Sequence, residues 1–152
     1  LIKKVIAKIW RKIPSSLRLK MIRMAQKKFT VSVAAVIFNA EGKVLLLEHL
    51  LRPQTSGWGI PGGFIEHGEQ PADAIRREIR EETGIELKNL QMIRVRTVQK
   101  HVEILFRAES SDKAKVCSPE IISVAWFAVN EMPFGLSEVQ KSIVEKVSQG
   151  EI

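Results

Sequence analysis

One cysteine, no tyrosine and no apolar run longer than six residues set the first limits on this 152-residue chain. A single thiol, Cys117, excludes an internal disulfide and fits a reducing compartment, so a cytoplasmic location is expected. No motif surrounds that cysteine, and it reads as a structural or surface residue rather than a nucleophile. A membrane-spanning helix needs about 20 consecutive apolar residues, which no run here approaches. Internal repeats and low-complexity tracts are absent too. The chain starts at Leu1 and not at methionine, which leaves room for a preceding segment. Acid is missing from residues 1–28, which hold ten Lys or Arg. The other 124 residues hold the remaining fourteen basic residues and all seventeen acids, a net of −3. The overall charge of +7 therefore describes an N-terminal arm and not the body.

What is present is enough for one ordinary domain with a sizeable core, at 45% hydrophobic residues. Within the arm, Leu1, Ile2, Val5, Ile6, Ile9, Trp10 and Ile13 recur at helical spacing, with lysines and arginines between them. Pro14 interrupts this pattern, and Ser15 or Ser16 is a candidate cap for a second short helix. Beyond the arm, Thr30–Phe38 reads as a strand, 39–42 as a turn and Lys43–Glu48 as its hairpin partner. A loop is expected over Leu50–Gly59. Further strands are expected over Leu87–Lys100, His101–Glu109 and Ile121–Val129. The stretch Ser110–Pro119 is polar and reads as mobile, and Leu136–Val147 reads as a closing amphipathic helix.

The densest chemistry lies between Pro61 and Ile85. Pro61-Gly62-Gly63 allows a tight backbone turn, and a second turn is expected at Gly68. Pro71 suits the first turn of a helix and Gly84 the position just past its end. Between them Ala72, Ile75 and Ile79 form an apolar stripe. At about 100° per residue, Glu78, Glu81 and Glu82 share an arc beside that stripe and are expected to point at one spot. Carboxylates crowded that closely repel unless a cation sits among them, and hard divalent cations take oxygen ligands. Arg77 precedes Glu81 by four residues and can brace it, with Glu69 bracing Arg77 from the other side. A solvated helix face would carry similar charges but would need none of these glycines.

Gly63 to Ile85 resembles the signature box of the Nudix hydrolases at all its defining positions, and the likeness extends over about 29–152. The resemblance implies an α/β/α sandwich with a mixed sheet, preceded here by the basic helical extension of residues 1–28. It implies a hydrolase that cleaves nucleoside diphosphates linked to another moiety, using magnesium or manganese to activate water against a pyrophosphate. By position, Glu78, Glu81 and Glu82 resemble the family's metal-binding glutamates, and the carbonyl of Gly62 a further ligand. Glu120, ahead of the last strand, resembles a glutamate that reaches the metal cluster from across the cleft in related proteins. The general base differs between branches of the family; Glu78 is the first choice, with Glu120 and Glu81 as alternatives.

Other residues bear on substrate. Arg52 is a candidate phosphate contact, and Trp58 either stacks on substrate or packs. His49, His67 and His101 have no ligand spacing and read as non-catalytic, although His67 sits in the glycine turn. The proline that marks ADP-ribose hydrolases past the box is absent from 97–101. The tyrosine of dinucleoside polyphosphate hydrolases is missing, the coenzyme A pattern is unmatched over 47–63, and the cysteine of isopentenyl diphosphate isomerases is not in the early strands. The substrate class therefore stays open. A catalytically weak nucleotide-binding or regulatory module on the same fold is the alternative, although such modules usually lose the Arg-Glu and Glu-Glu pairs kept here. The arm has three possible fates: packing on the body, pairing in a homodimer, or lying on an anionic surface such as a membrane or RNA. Packing is preferred, because the arm joins the first strand with little slack.

Overall fold

The computed structural model describes residues 2–51 and 57–152. Two helices, α1 (Ile2–Lys12) and α2 (Ser15–Ala25), precede the body. The body runs β1 (Thr30–Phe38), β2 (Val44–His49), β3 (Trp58–Gly59), β4 (Gly62–Phe64), α3 (Pro71–Thr83), β5 (Lys88–Val98), β6 (His101–Glu109), β7 (Ile121–Phe127) and α4 (Glu138–Gln149), with a short 3-10 turn at Val129–Glu131. Among the described residues seven strands form one mixed sheet, in which β3-β2-β1-β6-β5 are neighbours, β4 joins β1 and β7 joins β2. The β1–β6 pair is parallel and the others are antiparallel.

The central strands are apolar on both faces, which a sheet needs when helices cover both sides. Alternation along β1 sends Val33, Ala35 and Ile37 into a core shared with Ile75 and Ile79 of α3. Val36 and Phe38 enter a second core, shared with Ile143, Val144 and Val147 of α4. The result is an α/β/α sandwich.

β1 and β2 pair antiparallel as the expected hairpin, but over a shorter ladder than their lengths allow. The two strands are registered at Phe38↔Val44 beside the turn and then part company. β4 takes the freed edge of β1, through Ser32↔Phe64, Val33↔Gly63 and Ala34↔Gly62, while β7 runs along β2. A cleft opens between these two halves at the end that carries the glycine turn. Three other expectations need correction. Ala72 is exposed in the first turn of α3, and Ala74 takes its place in the core. The segment 110–119 is tied down: Ser110 N–H donates to Phe38 O, and Lys115 and Cys117 N–H donate to the carbonyls of Thr83 and Glu82. These last bonds satisfy acceptors that the end of α3 would otherwise leave open. Finally, Pro14 and not a serine stands at the cap of α2, and α2 buries none of its side chains.

Gly62 makes the β1–β4 contact possible. A methyl group there would overlap the Val33 carbonyl and the Ala34 Cα, and φ at Gly62 is +155°. Backbone cannot move aside as a side chain can, so Gly62→Ala is expected to cost at least about 3 kcal/mol. A chemical denaturation curve checks this; a midpoint within error of the wild type would contradict the close approach.

Candidate active site

The site is built where β4 faces α3. Backbone bonds from Ala35 N–H to Pro61 O and from Ile65 N–H to Val31 O tie the odd-numbered residues of this stretch to β1. Antiparallel alternation turns the intervening carbonyls the other way. Phe64 O shows that direction directly, since it accepts from Arg77 Nη2 at 3.2 Å. By the same alternation Gly62 O, two residues earlier, points away from β1. Gly63 allows α3 to come close, because a side chain there would overlap the Glu78 carboxylate. Gln70 caps α3 in an extended conformation, Pro71 opens it, and Gly84 closes it in the left-handed conformation at φ 69°.

Arg77 organises the acids. Nε and Nη2 form a fork on the Glu69 carboxylate at 2.8 and 3.0 Å. Nη1 donates to Glu78 at 3.0 Å and to Glu81 at 3.3 Å, and Nη2 also reaches Phe64 O. These contacts use the five N–H donors that a guanidinium has. Arg77 therefore has no donor left for a substrate phosphate and acts as a positioning residue. The guanidinium and the Glu66 N–H hold the Glu69 carboxyl down at about 2. The Arg77 guanidinium is in turn pushed further towards its charged form, chiefly by Glu69. Glu78 behaves oppositely: burial raises its carboxyl above the ordinary range and outweighs the pull of Arg77.

The cleft between the two halves of the sheet has a volume of about 410 Å³ and is lined by Gly62, Gly63, Phe64, Glu78 and Glu82 on one side and His49 and Glu120 on the other. Glu82 is 9% exposed. Glu120 is brought opposite α3 by two anchors, Cys117 N–H to Glu82 O and Leu50 N–H to Glu120 O, at 3.0 and 2.9 Å. Ile65, Glu66 and Arg77 complete the lining. A second cavity of about 220 Å³ shares Gly62, Gly63 and Phe64 with the first, and adds Ser32, His101, Glu103 and Gln140.

The expected convergence of three helix glutamates holds for two. Glu78 and Glu82 line the cleft, whereas Glu81 is turned to Arg77, with a side chain 60% exposed, and is not part of the lining. Trp58 packs edge-on against Phe127, with centroids 5.0 Å apart, and lines neither cavity. Arg52 lies outside the described residues. His67 is exposed and does not border the cleft. Sequence reasoning missed His49 and Phe64. His49 is aimed by a register shift at Glu48/His49, a bulge that no hydrophobic pattern announces. Phe64 is 63% exposed, a large aromatic inside the glycine turn, and that combination was a readable signal.

Among the described residues, no three acidic or imidazole side chains close on one metal-sized point. The donors facing the cleft are nevertheless mostly oxygen: Glu78, Glu82, Glu120 and, by alternation, Gly62 O, beside the His49 imidazole. Its arginine is committed internally. Such a set suits a hard divalent cation, and it would repel an anionic phosphate without one.

The family model for the NUDIX domain matches residues 28–147, and the chain belongs to the Nudix hydrolase family. A MutT-like protein of Streptomyces ambofaciens is 32% identical over 112 residues, which cover 72% of this chain and 71% of that protein. A NAD-capped RNA hydrolase, NudC, of Pseudomonas putida is 32% identical over 106 residues, but the match covers only 38% of that protein and 68% of this chain. The crystal structure of a MutT Nudix hydrolase from Burkholderia pseudomallei superposes with a TM-score of 0.69 at 27% identity, over 79% of this chain and 98% of that one. The Nudix domain of Shewanella oneidensis NrtR, solved with ADP ribose, shares the fold at 21% identity, with a TM-score of 0.70 over 96% of this chain and 98% of that one.

The depressed Glu69 carboxyl makes a stability prediction. Its charged form is favoured in the folded state, so its contribution is complete above the unfolded value near 4.5 and is lost as pH falls towards 2. The melting temperature should fall over that window. Glu69→Gln should start lower at pH 7 and lose less on acidification. Parallel pH curves for the two proteins would contradict the Arg77 brace.

Proposed function

We propose that this Nudix hydrolase cleaves the pyrophosphate link of a nucleoside diphosphate joined to another moiety, with magnesium or manganese held beside α3. The observation that carries this reading is the acidic cleft whose arginine is already saturated. Glu78, Glu82 and the Gly62 carbonyl are the proposed ligands, with Glu81 kept at the rim by Arg77. When bound, the metal neutralises phosphate charge and lowers the proton affinity of a water nucleophile. Glu78, a cleft-wall carboxylate that burial raises above its ordinary range, is the first choice as general base. Glu120 faces it from the opposite wall, which makes it the second candidate. The cavity continuing over Phe64 is the proposed seat of the nucleoside. Phe64 offers an exposed ring for stacking, and Ser32, Glu103 and Gln140 supply polar edges.

A nucleotide panel with magnesium, repeated with EDTA, tests the activity. Turnover of at least one nucleoside diphosphate derivative that EDTA abolishes is expected. Ligand binding with no turnover across the panel would favour the regulatory-module alternative.

Side-chain roles separate by substitution. Glu82→Gln is expected to lower kcat by at least about 100-fold with the fold intact, by loss of ligand charge. Glu120→Gln should lower kcat without changing metal affinity if Glu120 is the base, and should leave the pH–rate profile in place if Glu78 is. Arg77→Lys keeps the charge but loses the fork, and should reduce kcat more than it raises KM. A pure KM effect would assign Arg77 to the substrate.

Metal binding should also show without turnover. A ligand bound only by the folded state contributes about 2.7 kcal/mol at roughly 100 times its Kd, so magnesium should raise the melting temperature by several degrees. Glu78→Gln should remove that rise while leaving the metal-free protein no less stable, because burial already disfavours the charge at this position. Retention of the full rise would place the metal elsewhere.

A further inference from the structure

The arm carries a surface that the proposed chemistry does not use. Residues 1–28 hold ten Lys or Arg and no acid. None of the α2 side chains is buried. Leu17, Leu19, Met21 and Ile22 are 48%, 50%, 45% and 45% exposed, Met24 is 76% exposed, and Phe29 follows at 47%. At about 100° per residue, Leu17, Met21 and Met24 share one side of α2. Leu19 and Ile22 border a hollow that also takes in Trp10 of α1. Large aliphatic groups held together in water on one element mark a contact surface, and the charge around them selects a polyanion.

We propose that residues 1–28 are an interfacial anchor that lays this protein on an anionic lipid surface. The bound chemistry must satisfy two demands at once. RNA would meet the cations and leave Leu17, Met21 and Met24 in water. A second copy of the arm would cover the aliphatics but bring ten more positive charges against the first ten. An anionic bilayer supplies phosphate groups for the lysines and arginines and an acyl boundary for the aliphatic side chains. Among the described residues no helix is long and apolar enough to cross a membrane, so the arm lies on the surface and does not span it. Only residues 26–29 separate α2 from β1, so the catalytic body is carried at that surface.

Co-sedimentation of the full chain with vesicles tests this. Binding is expected to phosphatidylcholine vesicles containing phosphatidylglycerol, not to pure phosphatidylcholine, and it should weaken with salt. Lys20→Gln and Arg23→Gln should each weaken binding roughly fivefold. The triple change Leu17→Ser, Met21→Ser, Met24→Ser keeps every charge and should weaken it at least about tenfold. Turnover in solution should be unchanged in all of these variants, which shows the body to be folded. No binding to the anionic vesicles, equal binding to both lipids, or indifference to the serine changes would overturn the proposal. So would either rival occupant: an RNA oligonucleotide bound in place of the vesicles, or a dimer that the serine changes dissociate.

Discussion

Arg77 is the interaction on which the site depends. One guanidinium joins the turn before α3 to the helix itself, through the fork on Glu69, and joins both to β4 through Phe64 O. The same group lies against Glu78 and Glu81, which lets acids stand close together without an ion present. A buried or half-buried cation of this kind stabilises only when its donors are satisfied, and here all are. The consequence for chemistry is a division of labour. The arginine fixes the frame, and among the described residues that line the cleft no other lysine or arginine is present to meet a substrate phosphate.

Two glycines let that frame close. Gly62 brings β4 against the backbone of β1, and Gly63 brings α3 against β4. A Cβ at Gly62 would meet fixed backbone, and one at Gly63 would displace the Glu78 carboxylate. The early parting of β1 and β2 gives the cleft its second wall, because β2 then carries β7, and the residues at the start of β7 stand opposite α3. The anchoring of Lys115 and Cys117 on the last carbonyls of α3 sets how far Glu120 lies from Glu82. The placement of Glu120 and the capping of α3 thus rest on the same bonds.

Local features were legible in the sequence, and long-range ones were not. Pro71 and Gly84 bound α3 because cap preferences are set by the backbone of one or two residues. β1 and β6 match their apolar runs because both faces are buried, and the family signature carried the fold. The hairpin of β1 and β2 was legible, but the shortness of its ladder was not, because turn residues announce a turn and not how far the ladder continues beyond it. The polar run 110–119 looked free because its partners, the α3 carbonyls, are distant in sequence and have no side-chain signal. Glu81 shows the limit of angular reasoning: a helix fixes where a side chain leaves the backbone, and the Arg77 ion pair decides where its carboxylate ends.

Glu78 and Glu82 of α3, framed by Arg77, are proposed to hold a divalent cation for pyrophosphate cleavage. Manganese(II) titration followed by electron paramagnetic resonance tests this most directly, because free and bound ion are read separately and no substrate is needed. Saturable binding by the wild type is predicted. It should be lost in Glu82→Gln and unchanged in Glu131→Gln, an acid remote from the cleft. Binding that survives Glu82→Gln, or that disappears equally in both variants, would contradict the account.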